Sequence, residues 1–166
     1  MKFENQTILI TDPCYIINDI DGITSDDWAF CNYGSNLEAL GLKTFMVSST
    51  GEGDGMWNLY SCDDPTAVIE EFRNSAMKDE DLYDSKASKS LSDMGKEFSA
   101  DSGQTGVFDL SEVLAYNALF MDDLPDRCYA IIEDFTGDIN FEFIETKSGN
   151  KFLVVKGEGS VNFITL

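Results

Sequence analysis

The sequence predicts an α+β fold of mostly antiparallel β-sheet, sandwich-like or strongly bent, with two or three short helices and a C-terminal four-strand meander. Three observations predict it. The last forty residues alternate apolar and polar side chains: Ile139, Phe141 and Phe143 interleave with Asn140 and Glu142, the period-2 pattern of a strand with one buried face. Glycine-containing turn signals separate the apolar runs at Gly51-Glu52-Gly53-Asp54-Gly55, Thr136-Gly137-Asp138, Lys147-Ser148-Gly149-Asn150 and Gly157-Glu158-Gly159. Helical periodicity is confined to short stretches.

Residues 6–17 form a β-rich run, which Asp12-Pro13 should end or bend at a sheet edge. Ser25 is a candidate cap for a short helix with Asp26 and Asp27 in its first turn and Trp28 and Phe30 as its apolar contacts. Lys43 to Thr50 and Met56 to Cys62 read as a hairpin. Asp64 caps a helix over 65–78, with Pro65 at its first position. Residues 78–96 lose any periodicity and read as a mobile surface loop. Gly103 and Gly106 punctuate two extended pieces, and Ser111 is expected to cap a helix running to about Phe120. The final strands are expected over 128–135, 139–144, 151–156 and 161–166, with Phe141, Phe143, Val154 and Phe163 buried. No linker or repeat divides the chain, so residues 1–166 are expected to form one domain.

The chain carries 12% aromatic residues, which separates it from disordered acidic chains. Eleven Lys and Arg face 31 Asp and Glu, a formal charge of −20. Such a field disfavours direct nucleic-acid and anionic-membrane binding, because phosphates are bound by cations. A basic protein surface or a divalent cation is its complement; solubility alone is the plainer explanation. The opening residues Met-Lys-Phe-Glu-Asn-Gln lack a basic start followed by an apolar run, so the expected location is the cytoplasm. Cys14, Cys31, Cys62 and Cys128 form no CxxC pair, and the chain has no His. Reduced, metal-free thiols are therefore expected, and Ser-His-Asp, Cys-His and His-zinc chemistries are excluded. No P-loop or dinucleotide fingerprint is present. Asp19, Asp21 and Gly22 imitate part of an EF-hand loop, but Ile17 and Trp28 stand where its first and last ligands belong.

Four aspartates lie beside Pro or Gly or at strand ends: Asp12, Asp54, Asp101 and Asp109. Carboxylates so placed either converge on a metal such as Mg²⁺ or Ca²⁺ for hydrolysis, or cap turns by accepting backbone N–H groups, which requires no convergence. The densest acids, Asp19, Asp21, Asp26 and Asp27 and then Asp122, Asp123 and Asp126, are the candidates for binding a basic partner.

Thr11-Asp12-Pro13-Cys14-Tyr15, Trp28, Gly53-Asp54-Gly55-Met56-Trp57 and Asp101-Ser102-Gly103-Gln104-Thr105-Gly106-Val107-Phe108-Asp109 together resemble a family of uncharacterised phage and bacterial domains. The resemblance spans about residues 8–110. It implies a phage or bacterial source, hence a bacterial host cell as the compartment, and transfers no activity. Charge and implied source together point to a non-catalytic acidic inhibitor. Such a protein would mimic DNA in the basic cleft of a nucleic-acid-handling protein, a host-defence nuclease being one such target, and would need no cofactor. The alternative is a divalent-metal module or carboxylate hydrolase built on Asp12, Asp54, Asp101 and Asp109.

Overall fold

A computed structural model describes residues 1–17, 37–49, 54–61, 65–74, 91–145, 151–159 and 163–165. The elements are β1 (Lys2–Thr11), α1 (Pro13–Ile17), β2 (Phe45–Ser49), β3 (Gly55–Ser61), α2 (Pro65–Asn74), β4 (Ser92–Ala100), β5 (Gln104–Asp109), α3 (Leu110–Tyr116), α4 (Phe120–Asp123), a 3₁₀ turn (Asp126–Cys128), β6 (Tyr129–Glu145), β7 (Lys151–Gly159) and β8 (Phe163–Thr165). Among the described residues every strand pairing is antiparallel, and the strands form a five-stranded sheet β2-β5-β1-β6-β7 and a three-stranded sheet β4-β3-β8. The predicted α+β class holds.

The described core has three layers. Ile8, Ile10, Val107, Ala130 and Ile132 of the large sheet face Trp57, Leu59, Phe98 and Ala100 of the small one. The opposite face of the large sheet sends Leu9 and Phe108 against Ile16, Ile17, Leu37, Leu42, Val113 and Phe120. Covering on both sides explains the unbroken Ile8-Leu9-Ile10 run, because a strand buried on both faces has no solvent side to mark with polar residues. β1 lies in the middle of its sheet, so of the two roles expected of Asp12-Pro13 it is the ending of the strand that holds, not a bend at a sheet edge. Pro13 is accommodated because β1 stops at Thr11 and Pro13 opens α1, where its missing N–H costs nothing.

Several boundaries differ from the sequence reading. The expected turn at Thr136-Gly137-Asp138 is an irregular point inside one continuous strand, β6. Gly137 pairs with Phe3 on one side and Gly159 on the other. Asp134 and Gly137 carry positive φ values of 52° and 141°, and Asn5 one of 54° where the β1–β6 register shifts. Pairing on both flanks holds β6 extended through a local turn signal. Among the described residues the C-terminal region is thus three strands, and β8 leaves the meander to pair with β3 in the small sheet. The side chains of Phe141, Phe143, Val154 and Phe163 lie outside the described residues.

The last five residues of the expected 78–96 loop are strand: Ser92–Lys96 open β4 and pair with β3. The stretch lacks alternation because most of its side chains are exposed. The part of the loop before residue 91 and the expected Ser25 helix lie outside the described residues. The helix after β5 is capped by Asp109 rather than Ser111 and ends at Tyr116, with α4 as a separate turn. No helix of the described residues is long and apolar enough to cross a membrane.

Candidate functional site

The Thr-Asp-Pro-Cys-Tyr segment and the Asp-Ser-Gly segment, far apart in sequence, meet at one corner of the two sheets. Asp12 is the centre of the junction and is fully buried, at 0% exposure. Its Oδ1 accepts the Cys14 N–H at 2.8 Å. Its Oδ2 accepts the N–H groups of Asp101 and Ser102 at 2.8 and 2.7 Å. The Ser102 hydroxyl lies 2.7 and 2.9 Å from the two oxygens. The carboxylate thus caps α1 and at the same time ties the β4–β5 turn to the end of β1. Gly103 completes that turn at φ 67°, a left-handed conformation that suits glycine.

Around this carboxylate the groups are acidic or neutral. The Tyr15 hydroxyl donates to Asp101 Oδ2 at 2.7 Å and lies 2.8 Å from Ser99 Oγ. Burial, with the hydrogen bond to Asp101, holds the Tyr15 phenol well above its ordinary range. Burial first, then the negative charges of Asp12, Asp101 and Asp54, pushes the Cys14 thiol up as well. A thiol so held is protonated at neutral pH and is a poor nucleophile or metal ligand. Cys14 and Cys128 carry free thiols; Cys31 and Cys62 lie outside the described residues.

Linkage then gives a pH dependence. The unfolded thiol ionises near about pH 8.5, whereas the folded one holds its proton to higher pH. Cys14 therefore stabilises the fold fully below that value and progressively less above it. The melting temperature should fall between pH 8 and pH 10, and a Cys14→Ser variant should show a shallower fall over the same interval. Equal slopes for the two proteins would refute this role for Cys14.

The four turn aspartates do not form one site. Asp12 and Asp101 meet through the Asp101 N–H, and the exposed Asp54 lies close enough to act on Cys14. Asp109 stands elsewhere. It pairs across from Ile8, four residues back along β1 from Asp12, roughly 13 Å at the strand rise. Its oxygens accept Gln6 Nε2 at 2.7 Å and the Ser111 N–H and hydroxyl at 2.8 and 2.6 Å. Among the described residues no three acidic or thiol side chains are grouped to hold a metal ion. Asp12 and Asp109 follow the turn-capping alternative, with partners both local and distant in sequence. Glu112 acts in the same way, accepting the N–H groups of Lys43 and Thr44 at 2.7 and 2.9 Å.

Sequence reasoning missed Ser102, Tyr15, Ser99 and Gln6, whose roles rest on partners at least 84 residues away in every case and so leave no local signal. It also missed Thr105. This residue is fully buried, and its Oγ1 finds no hydrogen-bond partner among the described residues. Thr105→Val removes an unpartnered buried hydroxyl at nearly constant shape and should stabilise the fold by about 1 kcal/mol. Urea denaturation checks this; a loss of stability would mean that the hydroxyl is bonded in solution.

Of the candidate partner-binding acids, Asp19, Asp21, Asp26 and Asp27 lie outside the described residues. Asp122, Asp123 and Asp126 are exposed on α4 and the 3₁₀ turn. They stand close together, since Asp126 and Asp122 both help to hold the Tyr129 phenol above its ordinary range, after burial as the main cause. None of the three makes a salt bridge among the described residues. Comparison with family models, with curated proteins and with solved structures finds no match for the chain.

Proposed function

We propose that the chain is a non-catalytic, phage-related acidic binding protein. Its negative surface would dock into a basic cleft of a nucleic-acid-handling protein, a host-defence nuclease being the kind of target, in place of DNA phosphates. The observation that carries the reading is the formal charge of −20 combined with an exposed acidic patch at Asp122, Asp123 and Asp126 that makes no salt bridge among the described residues. Exposed carboxylates are available to cations of another protein, and the long-range field speeds encounter. Asp12 and Asp109, by contrast, spend their oxygens on the fold. This leaves the alternative of a four-aspartate hydrolase without a common centre.

The test is capture from bacterial lysate on the immobilised chain, followed by competition. A mimic's partner should be retained at low salt, weakened at high salt, and displaced by double-stranded DNA. Single Asp→Asn changes at 122, 123 or 126 should each weaken binding by no more than about fivefold, the range of exposed ion pairs. Reversing all three to Lys should weaken it on the order of a hundredfold, mostly through slower association. Binding that ignores salt and DNA, or that survives the triple reversal, would overturn the proposal.

A further inference from the structure

β4 stands at an edge. In the order β4-β3-β8 it pairs with β3 on one side and, among the described residues, with no strand on the other. An edge strand presents a row of N–H and C=O groups that the edge of another chain can pair with. Three features of β4 oppose such pairing, and all fall within residues 93–96.

The first is a bulge. The β3–β4 register slips between Leu59–Lys96 and Tyr60–Asp93, so that Met94 and Gly95 fall between adjacent residues of β3. Gly95 turns there at φ 65°. A bulge bends its strand and breaks the straight row of groups that an added strand would need. The second is the Asp93 carboxylate, which accepts the Gly95 N–H at 2.7 Å and so uses that donor within β4 itself.

The third is Lys96. Cross-strand partners share a sheet face, and Lys96 is the partner of Leu59, which is fully buried between the sheets. Phe98, two residues on, is buried in the same layer. Lys96 therefore points inward, whereas Glu97, the partner of the exposed Asn58, points out. The Lys96 side chain is half-buried and lines an open groove of about 320 Å³ between β4 and the 3₁₀ turn, to which β3 contributes no residue. Its stem covers apolar surface while the groove leads its ammonium to water, and it makes no salt bridge among the described residues. A strand paired along β4 would close the groove and take that ammonium out of water without a partner, which is strongly unfavourable.

We propose that residues 93–96 are a device that keeps β4 from adding a strand, above all the β4 of a second copy of this chain. The charge of −20 also repels a second copy, but salt screens that repulsion beyond about 8 Å under physiological conditions. The bulge and the inward lysine act at contact and do not depend on salt. The proposal is independent of the docking function, which concerns α4 and the 3₁₀ turn.

The experiment is sedimentation equilibrium of the full chain in about 1 M NaCl, where the screening length falls to about 3 Å and charge no longer holds copies apart. The wild-type chain should stay monomeric. Lys96→Met keeps the length of the stem and removes the charge; it should self-associate at least about tenfold more tightly than the limit set by the wild-type chain. The association should protect the amides of residues 92–97 from hydrogen exchange. Lys96→Arg, which keeps the charge, should stay monomeric. Should the melting curve show that Lys96→Met does not fold, Lys96→Gln makes the same comparison. A folded, monomeric neutral variant overturns the proposal, and so does a wild-type chain that associates through the amides of residues 92–97 at high salt. Association of the neutral variant without protection of those amides overturns it too, because the contact would then lie elsewhere.

Discussion

Replacing Asp12 by alanine is expected to cost about 4 kcal/mol of stability, the largest effect of any single substitution considered for this chain. The physical reason is the number of donors that one carboxylate satisfies. The N–H groups of Cys14, Asp101 and Ser102 and the Ser102 hydroxyl all converge on it, in surroundings at 0% exposure for the acid itself. Removing the acceptor leaves several donors without a partner, each at a cost of roughly 1–3 kcal/mol. For a chain of this length the melting temperature should drop by about 10 °C. Asp12→Asn should recover part of the loss, because the amide keeps one acceptor oxygen but turns an NH₂ group toward N–H donors. Asp101→Asn should cost under about 1 kcal/mol, since that side chain is exposed and its tie to Tyr15 is a single contact. Urea midpoints of the three variants check the ranking. If Asp12→Ala and Asp101→Asn proved equal, the idea of a carboxylate clamp at the junction would fail.

The second large effect concerns Gly106. This residue sits inside β5, paired with Thr11 on one side and Val47 on the other. A Cβ built there would collide with the ring of Phe108 and stand 3.1 Å from the Met46 carbonyl oxygen. The ring of Phe108 folds back over Gly106 on the same strand face and is fully buried among the residues of the helical layer. Gly106→Ala should therefore cost about 3 kcal/mol through overpacking. A Phe108→Leu change should be costly alone, yet in the double variant the two losses should sum to less than their separate values. Strict additivity in that cycle would show that the ring does not occupy the alanine methyl's place. Gly55 and Trp57 repeat the arrangement more loosely, with a Cβ at 55 meeting the indole at 3.1 Å.

These two residues also show where the sequence was readable. The unbroken apolar run of Ile8 to Ile10, and the glycine at 103 that its turn requires, are properties of adjacent residues. Strand and turn propensities act over such short ranges, so the α+β class, most strands and the aspartates' place at turns were legible. The acidic surface was legible from composition, because 31 acids have too few cations to pair with. The same locality led to the errors. Thr136-Gly137-Asp138 is a good turn in isolation, and it stays extended because β1 and β7 both pair through it. Ser92 to Lys96 has no alternating pattern, and it becomes strand because β3 offers it an edge.

What no local reading could reach is which carboxylate does what. Asp12, Asp54, Asp101 and Asp109 have similar neighbours in sequence, yet the first and last are buried anchors and the other two are exposed. The difference comes from donors brought from elsewhere in the chain: the N–H groups of residues 101 and 102 for Asp12, and the amide of Gln6 for Asp109. A buried carboxylate needs a full set of hydrogen-bond donors, and that set exists only after the distant segments have packed together.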